Sequence, residues 1–206
     1  MLCGAMVGKR NEIAWNQGRD HIDFYDAKGV IELLLGRLGI ADFKVAVANH
    51  YALHPGKSAS FSLNEEILGY VGELHPHVAN AFDLNRKVYI FELNVEVLAR
   101  YAVLIGKYTA LPKYPAISRD LALVLPEAVT ASQVDEAIRM NAGELLSEVR
   151  LFDVYTGEQV PQGFKSLAFS LTFQSSDRTL TDSEIDGHYK NTVVYIEETF
   201  GAKLRS

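Results

Sequence analysis

The chain has 206 residues, 48% hydrophobic and 22% charged, with 20 Lys and Arg against 26 Asp and Glu. That composition is ordinary for a soluble globular protein, and the length suffices for one large domain or two small ones, each with a real core. Fifteen Gly and six Pro exclude collagen-like and low-complexity chains, no apolar run approaches the roughly 18–20 residues of a membrane-spanning helix, and a net charge of −6 provides no bulk attraction to nucleic acid.

The start, MLCGAMVGKR, places its basic residues after a short apolar stretch, the reverse of a signal peptide. Cys3 is the only cysteine, so an intrachain disulfide is impossible. Both features fit a cytoplasmic protein in a reducing compartment.

In chain order, Val30, Leu33, Leu34 and Leu38 recur at helical spacing and predict a helix near Phe24 to Leu38, with Gly39 as its stop. Alternation predicts a strand over Phe43 to Ala48. A hairpin comes next, with Ser60 to Leu63 and Ile67 to Leu74 turning at Asn64-Glu65. Pro76 opens a short helix through Phe82, Val88 to Leu93 is a strand, and Asn94 caps a helix from Val95 to about Tyr101. The two prolines of YTALPKYP, Tyr108 to Pro115, favour extended chain and mark a domain boundary, giving domains 1–111 and 112–206.

The second domain reads more cleanly. Leu121 to Leu125 is a strand. Thr130 and Gln133 form a capping box before a helix with the apolar stripe Val134, Ala137 and Ile138, closed by Gly143. Val149 to Tyr155 and Leu167 to Gln174 are strands separated by a turn from Gly157 to Gly163. Thr181 and Glu184 form a second capping box, with Ile185, Tyr189, Thr192 and Ile196 on one helix face, Gly201 as the stop and a short final strand at Lys203 to Arg205. The order β-α-β-β-α-β predicts an α+β, ferredoxin-like sandwich, with two helices on one face of a four-stranded antiparallel sheet and the other face open.

No catalytic constellation stands out. Gly56-Lys57-Ser58 lacks the upstream glycine of a phosphate-binding loop, since Tyr51 stands there, and Gly8-Lys9 fails at Cys3 and Arg10. His50, His54, His75 and His77 have neither a Cys partner nor an HExxH context, and read as structural residues, His75 at a helix entry. Cys3 lacks an activating base, and Glu65-Glu66 and Glu197-Glu198 read as solvated faces.

The open sheet face is the more informative surface. With Leu121, Leu123, Leu151, Leu167, Phe169, Leu171 and Phe173 facing the helices, alternation sends Ala122, Val124, Arg150, Phe152, Ala168, Ser170, Thr172 and Gln174 outward. A small, polar face with one aromatic and one arginine can hold single-stranded bases by stacking. The alternative is a plain solvated face with Phe152 covered by the first domain.

Two stretches, KYPAISRDLALV from Lys113 and LFDVYTGEQVPQGFKSLAFSLTFQSSDRTLTDSEI from Leu151, resemble the ferredoxin-fold anticodon-binding domain of the phenylalanyl-tRNA synthetase beta subunit. DFYDAKGVIELLL from Asp23, LHPGKSA from Leu53, GYVGELHPHV from Gly69 and VYIFELN from Val88 resemble the segment preceding it in bacterial beta subunits. There the family has a catalytic-like module, a class II synthetase-like antiparallel sheet that has lost its active-site chemistry. In agreement, no GxGxGxER-like segment is found here.

The resemblance implies that residues 1–111 are an incomplete catalytic-like module, with apolar surface exposed where upstream residues or the alpha subunit would cover it. It implies that 112–206 bind the anticodon region of phenylalanine tRNA. Partners are then that tRNA and the catalytic alpha subunit, in a heterotetramer of two alpha and two beta chains, with no membrane and no DNA. ATP and Mg serve the parent ligase, and no cofactor or catalytic residue is assigned to this stretch.

Residues 112–206 carry 9 basic and 14 acidic side chains, so RNA would have to meet a local set. The implied contacts are Lys113, Arg119, Arg150, Phe152, Ser170, Thr172, Gln174 and Arg178, with the acids Asp135, Glu136, Asp182, Glu184, Asp186, Glu197 and Glu198 crowded on the helix side. Arg119-Asp120 reads equally as an internal ion pair, and Arg178-Thr179 as part of a helix start. A ferredoxin-like domain binding a small molecule such as an amino acid is the alternative. The first strand-helix junction, Pro126 to Thr130, has no glycine for such a ligand turn.

Overall fold

Alternating runs such as VYIFEL direct every second side chain to one sheet face, and helices with an apolar stripe cover that face. In the computed structural model this happens twice, in two compact units, Met1–Tyr108 and Thr109–Ser206. The structure describes every residue except Ile13, Lys107, Thr109 and Ser206.

The first unit is an antiparallel sheet ordered β1 (Leu2–Val7), β5 (Val88–Leu93), β4 (Glu66–Leu74), β3 (Leu53–Leu63) and β2 (Lys44–Val47). Helices α1 (Phe24–Arg37) and α3 (Val95–Tyr101) pack on it, and α2 (Pro76–Ala81) comes after β4. The predicted hairpin turn forms with Asn64 and Glu65 at φ 48° and 69°. Two successive positive φ values suit the right-handed twist of the flanking strands. Asn94 caps α3, its side chain accepting from the Glu96 and Val97 amides. An unpredicted box, Asp23 with Asp26, starts α1.

The α1 stripe is corrected by the structure. Of the predicted residues Leu34 and Leu38 pack against the core, but Val30 is 42% and Leu33 64% exposed, and the fully buried positions are Ala27, Ile31 and Leu35. GVIELLL is apolar nearly all round, so its periodicity admits more than one face, and packing against the core of Phe61, Leu68, Val71 and Leu93 selects one. Strand β1 was likewise not predicted as an element, because LCGAMV has no polar alternation; pairing from Leu2↔Leu93 to Val7↔Val88 determines it.

The second unit is a four-stranded antiparallel sheet ordered β7 (Leu146–Tyr155), β8 (Phe164–Phe173), β6 (Ile117–Pro126) and β9 (Lys203–Leu204). Helices α4 (Ala131–Asn141) and α5 (Asp182–Phe200) cover one face, completing the β-α-β-β-α-β order expected of a ferredoxin-like fold. Both predicted capping boxes form. Gln133 returns a 2.8 Å bond from the Thr130 amide, and the Glu184 carboxylate accepts from the Thr181 amide at 2.9 Å and its hydroxyl at 2.8 Å. Gly201 ends α5 at φ 64°, a left-handed conformation that glycine adopts without strain. Leu121, Leu123, Phe169, Leu171 and Phe173 meet Val134, Ile138, Ile185 and Ile196 in one core.

Candidate RNA-binding surface

Residues paired across strands share a sheet face, so the register defines the face opposite the helices row by row. Ser118, Thr172 and Glu148 form one row, and Asp120, Ser170 and Arg150 the next. Then come Ala122, Ala168 and Asp153, and after them Lys203, Val124, Ser166 and Tyr155. No helix of this unit packs there among the described residues.

Arg150, Ser170 and Thr172 therefore lie on the open face as predicted. Phe152 is the extra residue of a β-bulge between Leu151 and Asp153, where two residues oppose Ala168, and it is 52% exposed. The bulge inverts the remainder of β7. Strict alternation would turn Tyr155 toward the helices, but the shifted register pairs it with Ser166 on the open face and sends Val154 to the helix side with Leu167. The one sequence signal was the break in alternation at the apolar pair Leu151-Phe152.

Two predicted contacts sit elsewhere. Arg119 shares the helix-side face with Leu121, and its guanidinium contacts the Asp182 carboxylate of α5, with Asp186 at 3.8 Å. Those carboxylates raise the Arg119 pKa above its ordinary value, the Asp182 hydrogen bond contributing most. The internal pair considered for Arg119 exists, but its partner is Asp182 rather than Asp120. Arg178 lies 2.5 Å from Glu184 beside the start of α5. Hydrogen bonds from Thr181 and Arg178 together lower the Glu184 pKa to about 2.

Lys113 and Gln174 come together in a cleft of about 380 Å³ that Ser147 and Ser176 also line. The Gln174 side-chain amide donates to the Tyr114 carbonyl at 2.8 Å, tying the incoming chain to the end of β8.

The expected segregation of charge is also corrected. Asp182, Glu184 and Asp186 are on α5, but Asp120, Glu148 and Asp153 stand on the open face beside Arg150 and Lys203. The predicted strands hid this, because β6 begins at Ile117 and β7 at Leu146, both earlier than expected, and β7 contains the bulge. With mixed charge, binding here would depend on stacking and hydrogen bonds more than on Coulomb attraction.

Four of the other chemical candidates have structural roles. His50, His54 and His75 each accept a backbone amide two residues on, closing turns. Lys57 of Gly56-Lys57-Ser58 is held by Glu73 at 2.7 Å. Among the described residues no group of three or more His, Cys, Asp or Glu could hold a metal ion, and no helix is long and apolar enough to cross a membrane.

Residues 112–205 match the family described as ferredoxin-fold anticodon binding domain, and residues 1–95 match the phenylalanyl tRNA synthetase beta chain CLM domain. A phenylalanine–tRNA ligase beta subunit from Moorella thermoacetica is 42% identical over 205 residues, 99% of this chain and 25% of the relative. One from Pseudomonas putida is 40% identical over 206 residues, 100% of this chain and 26% of the relative. One from Bacillus subtilis is 37% identical over 205 residues, 99% and 25%. The chain thus spans about a quarter of the length of the curated relatives it matches.

Proposed function

The chain belongs to the phenylalanine–tRNA ligase beta-subunit family, and on that premise we propose that it is a tRNA-recognition and scaffold portion of the ligase. Its second unit binds the anticodon region of phenylalanine tRNA on the open sheet face. Its first unit packs on the catalytic alpha subunit, within a cytoplasmic heterotetramer of two alpha and two beta chains.

The observation supporting this reading is the open face itself, within the stretch matched to the anticodon-binding family. Two aromatic side chains share this face with the polar row Asp120, Ser170 and Arg150: Phe152 at the bulge next to it, and Tyr155 two rows further along. Aromatic rings stack any base, and neighbouring polar groups read its edges. Of the cations read from sequence, Arg150 sits on this face and Lys113 in the adjoining cleft, whereas Arg119 and Arg178 serve the start of α5. Aminoacylation, with its ATP and Mg, belongs on this reading to the assembled ligase, and no residue of this chain is assigned to it.

The test is a fluorescence-anisotropy titration of the chain with a phenylalanine tRNA anticodon stem-loop at about 50 and 200 mM salt, against a scrambled loop. With about three phosphates contacted, the logarithmic salt slope for single-stranded RNA is about −2. Preference for the native loop that falls in Arg150→Ala and Phe152→Ala supports the reading. Equal binding to both loops overturns stand-alone recognition.

A further inference from the structure

Tyr155 and Arg205 come from opposite sides of the second sheet and meet above its open face. Tyr155 ends edge strand β7, opposite Ser166. Arg205 comes directly after β9 and is tied in register by its amide, which donates to the Ala122 carbonyl at 2.9 Å. The guanidinium carbon lies 5.4 Å from the Tyr155 ring centroid, within cation–π range. One terminal nitrogen donates to Gln159 Oε1 at 2.9 Å and the other to Ser166 Oγ at 3.4 Å. Beneath this bridge Ser166 is only 3% exposed, although it lies on the face without helices.

The hydroxyl end of the ring is confined as well. A Cβ on Gly157 would overlap the Tyr155 hydroxyl oxygen, so the backbone of the β7–β8 loop passes against the ring tip, and a larger residue there would displace the ring. The same loop supplies Gln159. An arginine placed to catch phosphate would keep its terminal donors free for solvent. Each terminal nitrogen of Arg205 instead directs one donor to a neutral protein acceptor, and the guanidinium carbon lies over the ring.

We propose that Arg205 is a positioning residue for RNA recognition, holding the Tyr155 ring in one orientation on the open face before a base arrives. The inference rests on the proposed function and extends it, since it assigns a recognition role to a residue that acts through another side chain. Fixing the ring in advance removes an ordering cost otherwise incurred on binding. Arg205 and the Gln159 loop together set the orientation.

The test is a double-mutant cycle in the 206-residue chain, read by anisotropy with the anticodon stem-loop and its scrambled control. Arg205→Ala is expected to weaken native-loop binding by about two- to five-fold, the range that an exposed cation–π contact supports. It should have no further effect in a Tyr155→Ala background, and should leave the salt slope unchanged. Gln159→Ala, which keeps the arginine charge and removes one of its acceptors, should weaken binding in the same direction by less.

A loss of equal size with and without Tyr155, with the slope reduced by about one, would make Arg205 a direct phosphate contact and overturn the proposal. Wild-type affinity in Arg205→Ala would overturn it too. Both outcomes leave the proposed function standing. Equal wild-type binding to native and scrambled loops would instead overturn function and inference together.

Discussion

The Arg178 guanidinium lies 2.5 Å from the Glu184 carboxylate, which also accepts the Thr181 amide and hydroxyl at the first turn of α5. A cation and a helix start thus converge on one acid, and both favour its charged form. The depressed folded-state pKa, about 2 against an ordinary 4.5, has a defined consequence. The contribution of Glu184 to stability is fully present above its unfolded pKa. It is lost as pH falls from about 4.5 through about 2. Melting temperatures measured between pH 6 and pH 2 should therefore fall less steeply in Glu184→Gln than in the wild type, with the two curves converging at the acid end.

Arg119 and Arg150 should separate stability from RNA binding. Arg119 joins β6 to α5 through Asp182 and Asp186, on the face away from the proposed RNA surface. Arg119→Ala should lower the melting temperature more than Arg150→Ala does. Arg150→Ala should weaken anticodon stem-loop binding more than Arg119→Ala does. A reversed order in the titration would place the RNA on the helix side.

Phe169 is among the largest fully buried side chains and sits at the centre of the second core. Phe169→Ala should cost about 3–5 kcal/mol, the sum of lost burial and the cavity left behind. Urea denaturation monitored by circular dichroism should show a transition at much lower denaturant, with the loss confined to the second unit.

Gly69 lies where two strands approach closely. A Cβ there would overlap the Glu92 carbonyl oxygen and come 2.9 Å from the Leu93 Cα, beside the bulge that interrupts the β3–β4 register. Backbone cannot yield as a flexible side chain does, so Gly69→Ala should destabilise the first unit by about 1–3 kcal/mol, as overpacking does. Thermal unfolding of the variant checks this. Gly29→Ala is the control, because a Cβ at that helical position meets nothing within 4 Å and improves helix propensity.

What the sequence by itself determined is local. Thr130 with Gln133, Thr181 with Glu184, and Gly201 set helix ends through bonds and φ values spanning a few residues. The alternation of Leu121, Leu123, Leu167, Phe169 and Leu171 determined which side of the second sheet meets its helices. These signals survive because period-2 and period-3.6 burial is written residue by residue. Only the tertiary structure decided the rest of the site. The bulge at Phe152 depends on how β7 pairs with β8, and that single extra residue moves Tyr155 to the open face. Arg119 finds Asp182 across 63 positions, and Arg205 finds Gln159 across 46. Partners so distant are selected by strand pairing and helix packing, which local patterning does not encode.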